Sequence, residues 1–346
     1  MKIFHLSYHV GCINDLNYVF KTLGHSIDFE KVSYKGCTVT PAIAAEYWER
    51  NKEKLQSYDI IITSDTVALS YIFLLRLKEL MPHLIILNSN RFDYGMYGDK
   101  TFYELIRSAP KHLNKVTYIP YTVFEQIWCA KKDVFTYETP ITPIGKWLPD
   151  SIYTNKGIID DFGTINRSQM IRPDTDTIFI QTYFNHTQFM KLADHIASKG
   201  VSIAQGGYNY LSEIASFKGL VVLPDAFSKY FAFESIQNNI LVYLPSQKFL
   251  LELMQKSRYF FNIEGSGGRL QQEWVNLCEW YHYPETRIYF DSFDDLVEKI
   301  KGTSAAIRAE KSKWMNYYGG VIEKRELISW KNICDKIDIY RSNAFL

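Results

Sequence analysis

Apolar residues recur with two alternating spacings along the first part of the chain. Lys2 to Ser7 and Tyr58 to Thr63 are short apolar runs, typical of strands in a sheet that is covered on both faces. Between them, Ile13 to Leu23 carries apolar residues at helical spacing, which predicts a helix that Gly24 ends. The predicted strands are 2–7, 26–32, 58–63, 84–88 and 116–119, and the predicted helices are 13–23, 41–55, 67–80, 101–109 and 123–131. This alternation predicts a parallel, doubly wound α/β sheet.

The same alternation restarts after an interruption. Prolines at 140, 143 and 149 and the polar stretch that follows indicate a linker over 146–175. The predicted strands beyond it are 177–180, 201–205, 219–223, 240–244, 259–263 and 287–290. The predicted helices are 187–199, 209–217, 227–238, 247–256, 269–280 and 293–301. Two such series in tandem predict two Rossmann-like domains, 1–145 and 176–316, whose strand ends face a central cleft.

The C-terminal segment 317–346 is predicted to be a separate element. Tyr317-Tyr318-Gly319-Gly320 is expected to break the chain, since glycine disfavours helix, and an amphipathic helix is expected over about 321–340.

Composition and charge narrow the function classes. The chain has 346 residues, 47% of them hydrophobic, which suits two packed domains. Aromatic residues make up 16%, more than packing alone usually requires, which suits either clefts that hold sugars or bases or a biased genome composition. The net charge is +1 and no Lys/Arg run stands out, which argues against a nucleic-acid partner. The five cysteines are scattered, and Arg76 stops the longest apolar stretch. We therefore expect a cytoplasmic protein without an integral membrane span, and peripheral membrane contact stays open.

Two segments carry a resemblance to a known superfamily. Val19 to Ile27 ends the first predicted helix with Leu-Gly-His-Ser-Ile, and Leu223 to Tyr243 is a turn, a helix bearing Glu234 and a short strand. Together with the order of elements, these segments resemble the GT-B glycosyltransferase superfamily and its donor-binding signature. Two departures separate the chain from that signature: Ala226 stands where a second acid is expected, with Asp225 one residue away, and Gln237 to Asn239 replace a small-residue stretch.

The resemblance implies a donor, a site and a path for the last helix. It implies that Glu234 accepts hydrogen bonds from the ribose of a nucleotide sugar, and that the last helix crosses back to the first domain. The start of the helix, near Phe227 to Tyr230, is expected to offer backbone N–H groups to the diphosphate. The retaining or inverting outcome stays open.

Candidate catalytic residues follow the strands of the first domain. His9, after the first strand, and Asp65, after the strand 58–63, are rival general bases. Asp93 lies in a polar loop after the strand 84–88, and an Arg91–Asp93 salt link that only fixes this loop is the structural alternative. A turn histidine without any chemical role is the corresponding alternative for His9. The predicted acceptor-binding residues are Tyr8, Asn90 and Arg91.

Candidate donor-binding residues follow the strands of the second domain. Glycine-containing turns at strand ends let the backbone approach phosphate closely, and a nearby cation can pair with it. The predicted donor-binding residues are Glu234, Ser228, Lys229, Tyr230, Gln181, Asn185, Gly206, Gly207 and Arg269.

No metal ion or other cofactor is expected. Asp174-Thr175-Asp176 has the form of a metal-binding pair, but it precedes a predicted strand beside Pro173 and is interpreted as a turn. No His/Cys group at metal-ligand spacing occurs.

The sequence therefore predicts a glycosyltransferase that uses a nucleotide sugar and a glycan or other hydroxyl acceptor. Two alternatives share the fold: a non-catalytic module that binds glycans or acts as a scaffold, and a sugar-nucleotide epimerase. A dinucleotide oxidoreductase is disfavoured, because no Gly-x-Gly-x-x-Gly follows either opening strand.

Overall fold

The computed structural model describes most of the chain as two compact units. The described residues are 1–34, 37–90, 92–136, 138–147, 176–180, 187–205, 214–224, 226–227, 229–256 and 272–344. Met1–Ile152 together with Glu323–Leu346 form the first unit, and Tyr153–Ile322 form the second. Each unit contains a parallel five-stranded sheet, so the predicted α/β class is confirmed for both. Among the helices described, none combines the length and the apolar character that a membrane span requires.

The sheet of the first unit is built from strands at the predicted places. They are β1 (Lys2–Ser7), β2 (Ser26–Lys31), β3 (Ile60–Ser64), β4 (His83–Asn88) and β5 (Val116–Pro120), in the order β2-β1-β3-β4-β5. Every residue of β3, β4 and β5 is buried, which is why these strands are apolar without alternation.

Side-chain caps mark the start of several helices of the first unit. The helices are α1 (Val10–Thr22), α2 (Pro41–Leu55), α3 (Tyr71–Leu74), α4 (Lys100–Ser108) and α5 (Val123–Ala130). Thr40 accepts from the N–H of Ile43 at the start of α2, and Asp99 accepts from that of Phe102 at the start of α4. The predicted helix 67–80 is wrong in length: a 3₁₀ turn, Val67–Ser70, leads into α3, which ends at Leu74.

The second unit has the same strand order as the first. Its strands are β6 (Ile178–Ile180), β7 (Ile203–Gln205), β8 (Gly219–Val221), β9 (Val242–Pro245) and β10 (Arg287–Phe290), in the order β10-β9-β8-β6-β7. Its helices are α6 (Thr187–Ser198), α7 (Tyr230–Gln237), α8 (Gln247–Lys256), α9 (Gln272–Val275) and α10 (Phe293–Gly302). The predicted strand 259–263 lies outside the described residues.

The last helix, α11 (Ala305–Ala344), is continuous through Gly319 and Gly320. The predicted break at 317–320 is therefore wrong. Gly319 is buried, its carbonyl accepts a hydrogen bond from Gln237 Nε2 at 3.0 Å, and a Cβ at this position would lie 3.0 Å from Gln237 Oε1. A close contact with α7 thus explains a glycine inside this helix.

The end of α11 packs into the core of the first unit. Trp330, Ile333, Cys334 and Ile337 recur at helical spacing and join one buried cluster with side chains of α1, β1, β3 and β4. The rings of Trp330 and Phe20 meet edge to face at 5.2 Å. The first unit is therefore completed by residues from the far end of the chain.

Candidate functional site

Both sheets have a topological switch point, which is where open α/β sheets bind ligands. In the first unit the chain leaves β1 toward β2 on one side and later places β3 on the other side. The crevice beyond the carboxyl ends of β1 and β3 is the expected ligand position for this strand order. Tyr8 and His9 follow β1 directly, and Asp65 follows β3.

Asp65 has the properties of a general base. Its φ of 76° lies in the left-handed region, which aspartate tolerates better than most residues but which still stores strain. Burial raises the pKa of the Asp65 carboxyl to about 7, and a hydrogen bond from the Asn90 side chain lowers it. A carboxyl with a pKa near neutrality can accept a proton and release it again at working pH.

Side chains from several strand ends surround Asp65. The Ser89 N–H donates to the Asp65 carbonyl at 3.2 Å, and the Tyr8 hydroxyl donates to the Cys37 carbonyl at 3.3 Å. Burial, and after it the neighbouring Cys37, Tyr34 and Asp65, raise the pKa of Tyr8 well above its usual range. Tyr8, Asp65 and Asn90 were predicted from separate positions in the sequence, and the structure brings them together.

His9 has a structural role that limits its use as a base. It is the N-cap of α1, and its Nδ1 accepts from the Gly11 N–H at 3.0 Å. A neutral imidazole that accepts at Nδ1 carries its proton on Nε2, so Nε2 is a donor in this arrangement. The geometry therefore favours Asp65 over the exposed His9 as the base.

A series of hydrogen bonds from His5 through Ser64 and Ser7 supports the turn at His9. His5 Nε2 lies 2.7 Å from Ser64 Oγ, and the Ser64 hydroxyl donates to Ser7 Oγ at 2.9 Å. Ser7 Oγ in turn accepts from the His9 N–H at 3.1 Å. Burial lowers the pKa of His5 to about 3, so its ring is neutral. These hydrogen bonds connect the end of β1 to the end of β3, directly beside Asp65.

Asp93 lies in the interior of the first unit. Its side chain is fully buried and accepts from the Tyr103 hydroxyl at 2.8 Å and from Trp128 Nε1 at 3.3 Å. A carboxylate enclosed by two protein donors is poorly placed to reach an acceptor hydroxyl. These contacts favour a structural role for Asp93, in which it holds the loop after β4, and a catalytic role stays a prediction.

In the second unit, Glu234 is buried, as the donor-site hypothesis requires. It lies on α7, which follows β8 beside the switch point between β6 and β8, and only 5% of it is exposed. Buried carboxylates need specific partners, which distinguishes Glu234 from a solvated glutamate on a helix surface.

The start of α7 differs from the prediction. The backbone N–H of Lys229, the N-cap residue, donates to Glu279 Oε2 at 2.7 Å, and Glu279 is almost fully buried. The Glu279 N–H also donates to the Phe227 carbonyl at 3.1 Å. A protein carboxylate therefore takes the Lys229 N–H that was expected to bind the diphosphate. Tyr230, in the first turn of α7, is buried as well.

Several predicted residues lie outside the described part of the chain. These are Arg91, Gln181, Asn185, Gly206, Gly207, Ser228 and Arg269. Among the described residues, no three His, Cys, Asp or Glu side chains are grouped as a metal site requires, and metal independence stays a prediction.

Four residues that contact or adjoin the candidate site residues were not predicted from the sequence: Ser7, Ser64, Cys37 and Glu279. Ser64 stands directly before Asp65, so the strand end itself was the available signal. Glu279 belongs to a 3₁₀ turn, Glu279–Tyr281, far along the chain from α7, and no local pattern connects the two.

Comparisons with known proteins give similar structures but no family. No protein-family model and no curated protein matches the chain. The calicheamicin glycosyltransferase CalG4 is similar over 99% of this chain and 98% of its own, with a TM-score of 0.43 and 11% identity. A solute-binding protein of an R. palustris ABC transporter, solved with 4-hydroxybenzoate, has a TM-score of 0.26 and 11% identity over 93% of this chain and 80% of its own. A substrate-binding protein of an ABC transporter from Sphaerobacter thermophilus has a TM-score of 0.26 and 9% identity over 91% and 85%. The fold class of this chain rests on its own two sheets.

Proposed function

We infer that this protein is a glycosyltransferase that moves a sugar from a nucleotide-sugar donor to a hydroxyl group of a glycan or other acceptor. The observation that carries the proposal is Asp65, a carboxyl at the switch point of the first unit whose pKa is raised to about 7 by burial. The buried Glu234, beside the switch point of the second unit, supports the donor half of the proposal.

Asp65 acts as the general base in this proposal. The proton of the acceptor hydroxyl passes to the carboxylate while the hydroxyl oxygen forms its bond to the anomeric carbon. The bond between that carbon and the nucleoside diphosphate breaks in the same step, and the electron pair leaves with the diphosphate. This displacement inverts the anomeric centre. Tyr8 and Asn90 are placed beside Asp65 to orient the acceptor, while Glu234 holds the ribose hydroxyls of the donor.

A ligand panel followed by thermal unfolding tests the proposal. At least one of UDP, GDP and their sugars is expected to raise the melting temperature by roughly 5 °C at a concentration about 100 times its Kd. NAD is expected to leave the melting temperature unchanged. Glu234→Gln should lose most of this shift. Asp65→Asn should keep the shift and lose turnover by about 100-fold or more. If none of the nucleotides stabilises the wild-type protein, the transferase proposal fails.

One observation favours a second candidate, the non-catalytic glycan-binding module. Glu279 places a negative charge on the Lys229 N–H, where a diphosphate would be repelled. Glu279→Gln in the same panel separates the two. A transferase whose diphosphate approaches α7 gains nucleotide affinity when this charge is removed. A module without a nucleotide site shows no nucleotide shift in either form.

A further inference from the structure

An aromatic cluster on the exposed side of α11 has no part in the proposed transfer. It consists of Trp314, Tyr317 and Tyr318 on the helix and Tyr283 beside it, all in the second unit. Trp314 is 37% exposed and Tyr317 is 60% exposed. Exposed groups of large aromatic side chains mark binding surfaces more often than isolated ones do.

The rings hold one another in fixed positions. Trp314 stacks on Tyr318 with centroids 5.8 Å apart and an interplanar angle of 24°, and Tyr317 meets Trp314 edge to face at 6.1 Å. Tyr283 lies 5.1 Å from Tyr318 and meets the buried Phe233 of α7 at 6.2 Å. The cluster is thus attached to the core of the second unit, so little side-chain entropy remains to be lost when a ligand binds.

Hydrogen-bonding groups border the rings. The Tyr318 hydroxyl donates to Glu285 Oε2 at 3.0 Å, and Lys311 Nζ donates to the Glu285 carbonyl at 2.9 Å. Aromatic rings therefore stand beside a carboxylate at this surface.

We propose that this cluster is a carbohydrate-binding surface, separate from the strand-end sites and independent of sugar transfer. One face of a pyranose ring presents C–H groups, which carry partial positive charge and pack against the negative face of an aromatic ring. The ring's edge presents hydroxyl groups, which donate well to a carboxylate such as Glu285. The ligand is an extended glycan, which contacts Trp314 and Tyr317 through successive residues.

A lipid surface fits this cluster less well. A helix that lies on a membrane combines an apolar face with a rim of cations. Here a carboxylate is hydrogen-bonded within the aromatic cluster, and Lys311 is engaged with the Glu285 carbonyl.

Native electrophoresis of the full chain through gels that contain a soluble polysaccharide tests the surface. Dextran, laminarin, xylan and galactomannan serve as probes, in separate gels. At least one is expected to retard the wild-type protein, and Trp314→Ala or Tyr317→Ala is expected to weaken the affinity about tenfold. Tyr317→Phe keeps the ring and should keep binding. Tyr340→Ala, a change at a tyrosine on the same helix that is 44% exposed, is the matched control and should not alter migration.

Three results overturn the proposal. The first is no retardation of the wild type in any gel. The second is retardation that Trp314→Ala and Tyr317→Ala leave unchanged. The third is that these variants lose sedimentation with phosphatidylglycerol vesicles, or lose a dimer that the wild type forms, while their retardation by polysaccharide does not change. Because both side chains are partly exposed, circular dichroism should be unchanged and the melting temperature should fall by no more than about 3 °C, which shows that the variants fold.

Discussion

Asp65 brings together a left-handed backbone, partial burial and an ionisable group. Each of these features destabilises the folded state to some degree, and none of them is needed to end a strand. Proteins retain such local strain mainly where it serves a site. The raised pKa of Asp65 therefore has a measurable consequence for stability.

Asp65→Asn is expected to change how stability depends on pH. The folded state raises the pKa of this carboxyl from 3.8 to about 7. Below pH 3.8 the carboxyl is protonated in both the folded and the unfolded state, and the folded protein has its full stability. As pH rises from 3.8 toward 7, the carboxyl ionises more readily in the unfolded state, so the folded state loses stability. The melting temperature of Asp65→Asn minus that of the wild type should therefore rise between about pH 4 and pH 7 and be constant above. His5 is present in both proteins, so its own titration cancels in the difference. A difference that does not vary with pH would show that the Asp65 pKa is ordinary.

At this scale the sequence predicted positions better than roles. The proximity of Tyr8, Asp65 and Asn90 was predictable because each lies within two residues of the end of an apolar strand, and strand ends share one edge of a parallel sheet. The burial of Asp93 was not predictable, because its partners Trp128 and Tyr103 belong to other elements. A loop pattern contains no information about such partners.

Among the elements, α11 shows how tertiary contact overrides local propensity. Two adjacent glycines predict a break, since each disfavours a helix by about 1 kcal/mol relative to alanine. The helix continues because Gly319 packs against Gln237 of α7. The predicted helix 67–80 shows the opposite error, since the prediction was longer than the helix that forms. Apolar spacing predicted about four turns, and the structure has a 3₁₀ turn followed by a short helix.

The two glycines are expected to respond differently to alanine. Gly320 has no atom within 4 Å of a Cβ placed on it, so Gly320→Ala should raise the free energy of unfolding by about 1 kcal/mol. At Gly319 the new Cβ lies 3.0 Å from Gln237 Oε1, so Gln237 has to move and the gain should be smaller. Urea unfolding of both variants measures the difference. Equal gains would mean that Gly319 has no packing role.

The whole chain forms two units with the same strand order, and the first unit is discontinuous in sequence. The order of elements predicted the two sheets, because strand and helix alternate in both halves. The boundary at residue 323 was not predictable, since it falls inside one helix and nothing in the local pattern marks it. It follows instead from which apolar face of that helix meets which core.

Trp330→Ala is expected to destabilise the first unit selectively. Trp330 is 2% exposed and packs on Phe20 within the cluster that includes β1 and β3, so its loss should cost about 3–5 kcal/mol. Trp314→Ala is the same change on the same helix at a residue that is 37% exposed, and it should cost about 1 kcal/mol or less. Hydrogen exchange followed by mass spectrometry separates the units: Trp330→Ala should speed exchange in peptides from β1, β3 and α1 and leave those from β8 and β9 unchanged. Equal acceleration of exchange in both units would mean that they unfold as one cooperative body. Unchanged exchange in β1 and β3 would show that the end of α11 does not pack into the core of the first unit.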